Sequence, residues 1–125
     1  MIAGLVNAAY EAVVTLAVQG PAGQTRDIDA VIDTGFGGFL TLPPALVAEL
    51  GLPYKGTGWA TLGDGSEITF PYYDVAVLWE GRPKYGLVEA ADTAPLVGMR
   101  LLDGHSLYME VEDGGRVVIE PTARG

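Results

Sequence analysis

An all-β domain with one or two short helices is the fold class this sequence predicts, and three observations predict it. Apolar and polar residues alternate with a period of two along most of the chain, the signature of half-buried strands. There are 18 glycines and 8 prolines, about twice the ~7% glycine of an average chain, which suits many short strands joined by tight turns. At 125 residues, with no repeat, linker or low-complexity segment, residues 1–125 fit one domain around a single core.

The elements follow in order. Tyr10, Ala12, Val14, Leu16 and Val18 are apolar and interleave with Glu11, Thr15 and Gln19, giving a first strand. Gln19 to Gln24 has the composition of a turn. In the next strand Ile28, Ala30 and Ile32 share one face, while Asp27, Asp29, Val31 and Asp33 share the other. After the corner Gly35-Phe36-Gly37-Gly38, Pro43 to Leu50 reads as a short helix, with proline in its first turn and Gly51 beyond its end. Thr61 to Thr69 reads as a hairpin with Asp64-Gly65 in a type I′ turn. Tyr73, Val75, Val77 and Trp79 make a further strand, which Gly81-Arg82-Pro83 returns toward Tyr85 to Ala90. Leu96-Val97-Gly98 is a short buried strand entering one helical turn that Gly104 stops. Leu107, Met109 and Val111 alternate into Asp113-Gly114-Gly115, and Arg116 to Glu120 closes the domain.

Composition excludes several functions. Sixteen acidic against seven basic side chains give a formal charge of −9, without a basic cluster, which argues against a nucleic-acid partner. No cysteine is available for disulfides, thiolate metal sites or nucleophilic catalysis. No apolar run approaches the ~20 residues of a membrane span, and no basic segment precedes the apolar start, so a soluble cytoplasmic protein is expected. His105 is the single histidine and no Gly-x-Ser-x-Gly occurs, which removes a serine triad and a histidine metal cluster; His105 reads as a helix-end residue. Asp27, Asp29 and Asp33 lack the glycine and glutamate of a calcium loop, because Ile32 and Gly38 stand there, so Asp27 and Asp29 read as a solvated face. Leu40 fills the third glycine position after Gly35-Phe36-Gly37, so no dinucleotide fingerprint forms. Trp59, Trp79 and the six tyrosines read as core and cleft walls. No metal or other cofactor is expected.

The chemistry-bearing candidate is Asp33-Thr34-Gly35 at the end of the Ala30-Val31-Ile32 strand. The glycine permits a sharp turn, the Thr34 hydroxyl can lock it through the backbone, and the Asp33 carboxylate is then held rigidly and partly shielded from water. The alternative use of Asp33 is simply to start a turn. Two further features weigh on this choice: Leu96-Val97-Gly98-Met99-Arg100-Leu101-Leu102 late in the chain, and the glycine-tipped hairpin between the two motifs.

Together, and in this order, these segments resemble the retropepsin-like aspartic proteases, in particular their small prokaryotic single-domain members. The stretch from Val31 to Pro43 resembles the active-site segment, Leu96 to Leu102 the second signature, and Gly114-Gly115 with Val117 to Pro121 the ending. The resemblance implies a closed β-barrel and an aspartic endopeptidase acting on a peptide or protein substrate. Two carboxylates must share one proton in that chemistry, since like charges ~3 Å apart cannot both ionise, as in the aspartic-protease example from which this rule is drawn. A single Asp-Thr-Gly is present, so the resemblance implies a homodimer with both Asp33 residues at the two-fold axis and Thr34 bonding across it. It further implies a flap at Leu62, Gly63, Asp64, Gly65 and Ser66, and a cleft lined by Val31, Phe36, Gly37, the flap residues and Val97. Met1 to Val6 and Val117 to Pro121 would pair in an intersubunit sheet.

The departures from the pattern are specific. Phe36 replaces the small residue that follows the motif in many members, a change expected to narrow the cleft or desolvate the acid pair. Retroviral members carry acidic residues where Gly37-Gly38 stands, and an arginine where Met99 stands, with Arg100 one place later. A catalytically silent domain that binds peptide or dimerises is therefore the alternative to the peptidase.

Overall fold

Ten strands and two short helices make up the computed structural model, in which residues 1–124 are described. The strands are β1 (Ile2–Val6), β2 (Ala12–Gln19), β3 (Thr25–Ile32), β4 (Leu40–Leu42), β5 (Tyr54–Thr61), β6 (Glu67–Trp79), β7 (Arg82–Ala90), β8 (Leu96–Val97), β9 (His105–Met109) and β10 (Arg116–Pro121). The helices are α1 (Pro44–Leu50) and α2 (Met99–Leu102). Hydrogen-bonded neighbours run β5-β6-β7-β4-β8-β3-β2-β1-β10-β9. A further pairing of β2 with β6, Ala17↔Leu78 to Gln19↔Ala76, joins two distant parts of this order, so β2, β3, β8, β4, β7 and β6 form a closed circuit of neighbours.

The period-two pattern places the core. Val14, Leu16 and Val18 of β2 and Ile28, Ala30 and Ile32 of β3 are buried, whereas Asp27 and Asp29 lie in solvent, Asp29 accepting a hydrogen bond from the Thr15 hydroxyl at 2.6 Å. Leu40, Leu42, Val77, Val88, Val97, Leu101, Val117 and Ile119 complete the most deeply buried set. Burying a side chain of this size stabilises by about 1.5–3 kcal/mol, so the alternation alone accounts for why these strands keep one register. Helix α1 has proline in its first turn and ends on Gly51 in the left-handed conformation, as its sequence predicts.

Four local expectations are corrected. Tyr10 does not enter the first strand: the Asn7 side chain accepts hydrogen bonds from the amides of Ala9 and Glu11, forcing a turn in which Tyr10 has φ 61° and is 75% exposed. At Asp64-Gly65 only Gly65 has positive φ, its amide bonds to Leu62 O at 2.9 Å, and Leu62 N–H reaches Ser66 O at 2.7 Å. This is a longer loop with a left-handed glycine rather than a type I′ pair. The two consecutive positive-φ residues of a two-residue turn are instead Glu80 (52°) and Gly81 (81°), so that Arg82 and Pro83 already belong to β7. His105 opens β9 instead of ending a helix, accepting at Nε2 from Trp79 Nε1–H at 3.0 Å.

The chain ends are corrected as well. Strand β1 pairs with β10 over Ile2↔Ile119 to Leu5↔Arg116, and also with β2, while β10 pairs with β9 on its other side. Most of their length is thus paired within one protomer, leaving only Ile2-Ala3 and Glu120-Pro121 with a strand on one side alone, so an intersubunit sheet from these strands is confined to their outer ends.

The β9–β10 connection carries a pH-dependent clamp. The Arg116 side chain donates to both oxygens of Glu110 at 3.2 Å, the Arg116 amide adds a bond at 3.0 Å, and Tyr108 OH adds one at 3.1 Å. Arg116 above all holds the Glu110 carboxyl down at about 2, below the ordinary 4.5. A depressed folded-state pKa contributes stability above the ordinary value that is lost as pH falls toward the folded one. Glu110→Gln is therefore expected to melt below the parent protein at pH 7, with the difference shrinking under pH 4.5 and gone near pH 2 in a series of thermal melts.

Candidate active site

Strand β8 lies between β3 and β4, which are consecutive in the chain, so the segment from Asp33 to Phe39 must cross the end of β8. Val31↔Leu96 and Ile32↔Val97 pair in parallel on one side, and Leu40↔Val97 antiparallel on the other. The crossing segment is tied down along its length. Asp33 N–H donates to Val97 O (2.9 Å), Gly98 N–H to Phe39 O (3.0 Å), Met99 N–H to Phe36 O (2.8 Å) and Arg100 N–H to Gly38 O (3.0 Å). Arg100 adds its guanidinium, donating to Gly37 O at 2.7 Å.

Asp33 is half-buried at the carboxyl end of β3, and its Oδ1 accepts the Gly35 amide at 2.9 Å. The carboxylate thus locks its own turn, the task expected of the Thr34 hydroxyl. Thr34 is exposed, and among the described residues its hydroxyl makes no hydrogen bond within the chain. Phe36 does not project from the turn. Its ring lies over Gly38 and Gly98, filling the space a Cβ would take at either position. Gly98 is also the point of closest approach: a side chain there would collide with the Gly38 carbonyl, which the loop cannot move without breaking its own bonds.

Alternation along β3 puts Val31 and Asp33 on one face, and the register places Leu96 beside Val31 and Val13 on its other side. Val13, Val31 and Leu96 are half-buried and make an apolar patch next to the carboxylate. Val97, expected in the cleft, is 0% exposed and belongs to the core; its neighbour Leu96 faces out instead.

The β5–β6 hairpin carries Leu62, Gly63, Asp64 and Gly65 at its tip, all exposed. Asp64 accepts the Ser66 hydroxyl (2.6 Å) and amide (2.9 Å), which lowers its carboxyl pKa and stiffens the tip. Strand β7 pairs with β6 only from Tyr72 onward, so the outer part, Thr57↔Pro71 to Thr61↔Glu67, is a ribbon of two strands. A two-stranded ribbon is marginal by itself, which makes this the least supported part of the sheet. A register shift between Tyr54 and Gly56 marks where it leaves the sheet.

Between this ribbon, β7 and the Gly37-Gly38 corner lies a groove of about 1030 Å³. Trp59, Phe70 and Tyr72 wall it from the ribbon, and Glu89, Met99 and Arg100 from the sheet and α2. Burial pushes the Glu89 carboxyl above the usual range. Among the described residues, no group of three histidine, cysteine or carboxylate side chains comes together to hold a metal, and no helix is long and apolar enough to cross a membrane.

No known family profile matches the sequence, and no curated protein does. The three-dimensional arrangement does find a counterpart. It superposes on the crystal structure of a retropepsin-like aspartic protease from Rickettsia conorii with a TM-score of 0.55, over 98% of this chain and 92% of that one, at 15% sequence identity. The chain has a retropepsin-like fold. Within that fold, the residues singled out from sequence fall in three places: Asp33, Thr34, Gly35, Phe36 and Gly37 on the crossing segment, Val31 on the face beside it, and Leu62 to Gly65 on the ribbon. Trp59, Tyr72 and Gly37 of the groove were read as cleft residues, whereas Leu96, Arg100, Phe70 and Glu89 escaped sequence reasoning. Strand parity was the available signal for Leu96, whereas nothing in sequence spacing links Trp59, Phe70 and Glu89.

Gly98 is the position where the retropepsin-like crossing is most easily broken. Gly98→Ala is expected to cost about 1–3 kcal/mol in urea denaturation, and to shift the amide resonances of Gly35, Gly37 and Gly38 more than those of β9 and β10.

Proposed function

We propose that this protein is an aspartic endopeptidase whose Asp33 acts as a pair across the two-fold axis of a homodimer. The observation that supports this most is the hold on Asp33: its amide is bonded to Val97 O and one carboxylate oxygen to Gly35 N–H, at the end of a buried strand beside an apolar patch. Rigid placement of an acid next to an apolar surface suits cleavage of an extended peptide.

In this reading, one Asp33 is ionised and takes a proton from water, while the other is protonated and donates a hydrogen bond to the scissile carbonyl. The attacking oxygen adds to the carbonyl carbon, and the acid pair then delivers a proton to the leaving amine as the C–N bond breaks. Thr34 and Gly35 shape the turn and meet their counterparts at the axis. Gly37 flanks the substrate backbone, with the Phe36 ring packed behind it over Gly38 and Gly98; Val31 and Leu96 take an apolar side chain beside the scissile bond. Leu62, Gly63, Asp64 and Gly65 close over the peptide and exclude water. Intersubunit strand pairing would run along the open edge of β9 and the outer ends of β1 and β10.

A second reading is a domain that binds peptide or dimerises without turnover. Digestion of a mixed peptide library between pH 4 and 7.5 separates the two. Asp33→Asn is expected to lower cleavage by about 10²–10⁴-fold while leaving the sedimentation coefficient unchanged. Equal cleavage by both proteins, or none by either while both sediment as dimers, would overturn the peptidase reading.

A further inference from the structure

The groove beside the Gly37-Gly38 corner holds a charge that the catalytic reading does not use. Glu89 sits on β7 between Tyr72 of β6 and Thr41 of β4, its cross-strand partners. Among the described residues, no cation lies within ion-pair distance of Glu89 and its carboxylate accepts no hydrogen bond. The groove's two cations are engaged elsewhere. Lys84 Nζ donates to Leu101 O at 2.7 Å and lies 5.3 Å from the centre of the Trp79 ring. Arg100 donates to Gly37 O at 2.7 Å. Burial pushes the Lys84 pKa down, offset in part by the charges of Asp103 and Glu80.

A half-buried carboxylate without a partner costs folding free energy, and a cation delivered by a ligand relieves that cost. The surroundings suit a long cationic side chain. Trp59, 66% exposed on the ribbon, together with Phe70 and Tyr72, offers flat apolar faces along which an alkyl stem packs and over which a cation is attracted. The chain's formal charge of −9 draws cationic peptides toward it. The volume, about 1030 Å³, accommodates more than one residue of a peptide, and the corner at its edge is the same segment that carries Asp33.

We infer that this groove is a subsite for a lysine or arginine side chain of the peptide substrate, and that Glu89 selects it. The inference rests on the peptidase reading for its place in a reaction, but the binding it describes does not depend on turnover.

The test has two arms. In the first, a peptide library with one randomised position after another is digested by the parent protein, by Glu89→Gln and by Asp33→Asn. The parent is expected to favour lysine and arginine at one position by about tenfold over norleucine. Glu89→Gln should lose that preference while still cutting peptides that lack basic residues, and Trp59→Ala, in an exposed ring, should weaken it. Cleavage that depends on Asp33 but shows no basic preference, or a preference unchanged in Glu89→Gln, overturns the subsite and leaves the peptidase reading standing. In the second arm, fluorescence anisotropy compares two labelled nonapeptide pools, with lysine or norleucine at the centre, on Asp33→Asn and on the Asp33→Asn, Glu89→Gln double variant. Tighter binding of the lysine pool, abolished in the double variant, supports the subsite even without cleavage; equal binding of both pools to Asp33→Asn overturns it. Removing a desolvated charge should leave the melting temperature of Glu89→Gln at pH 7 no lower than the parent's, so a loss of preference cannot be assigned to unfolding.

Discussion

The position of β8 between β3 and β4 is the constraint on which the site depends. Two strands that follow one another in the chain would ordinarily sit side by side. Here Val97 separates them, paired with Ile32 on one side and Leu40 on the other. The chain between β3 and β4 is thereby stretched across the end of β8, and four backbone hydrogen bonds tie it to the 97–100 segment. That crossing needs a residue without a side chain where the two segments touch, and Gly98 supplies it. Phe36 belongs to the same arrangement. Because its ring lies over Gly38 and Gly98, it seals the crossing instead of obstructing the face that carries Asp33.

The same sheet supplies rigidity and mobility from one strand. Over Tyr72 to Trp79, β6 is flanked by β7 and in part by β2, and Val75, Val77 and Trp79 enter the core. Beyond Tyr72 it has only β5, and its side chains are exposed or half-exposed. No special hinge residue is needed for the outer ribbon to move; the loss of one neighbouring strand and of core contact suffices. The aromatic rings of Phe70 and Tyr72 lie across Gly58 and Gly56 on the facing strand, holding the ribbon together as a unit.

How much of this could be read from sequence depended on the range of the determining interaction. Strands β2 and β3, helix α1 and the Asp33 turn are set by neighbours within a few residues, through period-two burial and capping, and they were legible. Turn placement was less so. Asp64-Gly65 and Glu80-Gly81 are both acidic-glycine pairs, and dipeptide preference favours the first. The pairing of Trp79 with Arg82, backed by seven further residue pairs to Tyr72↔Glu89, put the tight turn at the second. The choice of Val97 over Leu96 failed for a related reason: two adjacent strand residues face opposite ways, and only the pairing with Val31 shows which faces the carboxylate. The groove was invisible, since Trp59, Phe70 and Glu89 meet only through the β5–β6–β7 register.

Asp33 and Glu89 show how differently one fold treats two carboxylates. Asp33 has a backbone amide donated to one oxygen, in a segment tied down by backbone hydrogen bonds and by the Arg100 guanidinium. Its geometry is set before any ligand arrives, which suits the proposed pairing with an identical acid. Glu89 has the reverse provision: burial without a donor, in a groove roofed by a ribbon that can move. A preformed partner would neutralise Glu89 and leave nothing for a ligand to add, whereas its absence leaves an interaction that only a bound cation completes. In the proposed peptidase, chemistry at Asp33 calls for preorganisation and selection at Glu89 calls for an unmet charge, and the segment that carries Asp33 reaches the groove through its Gly37-Gly38 corner.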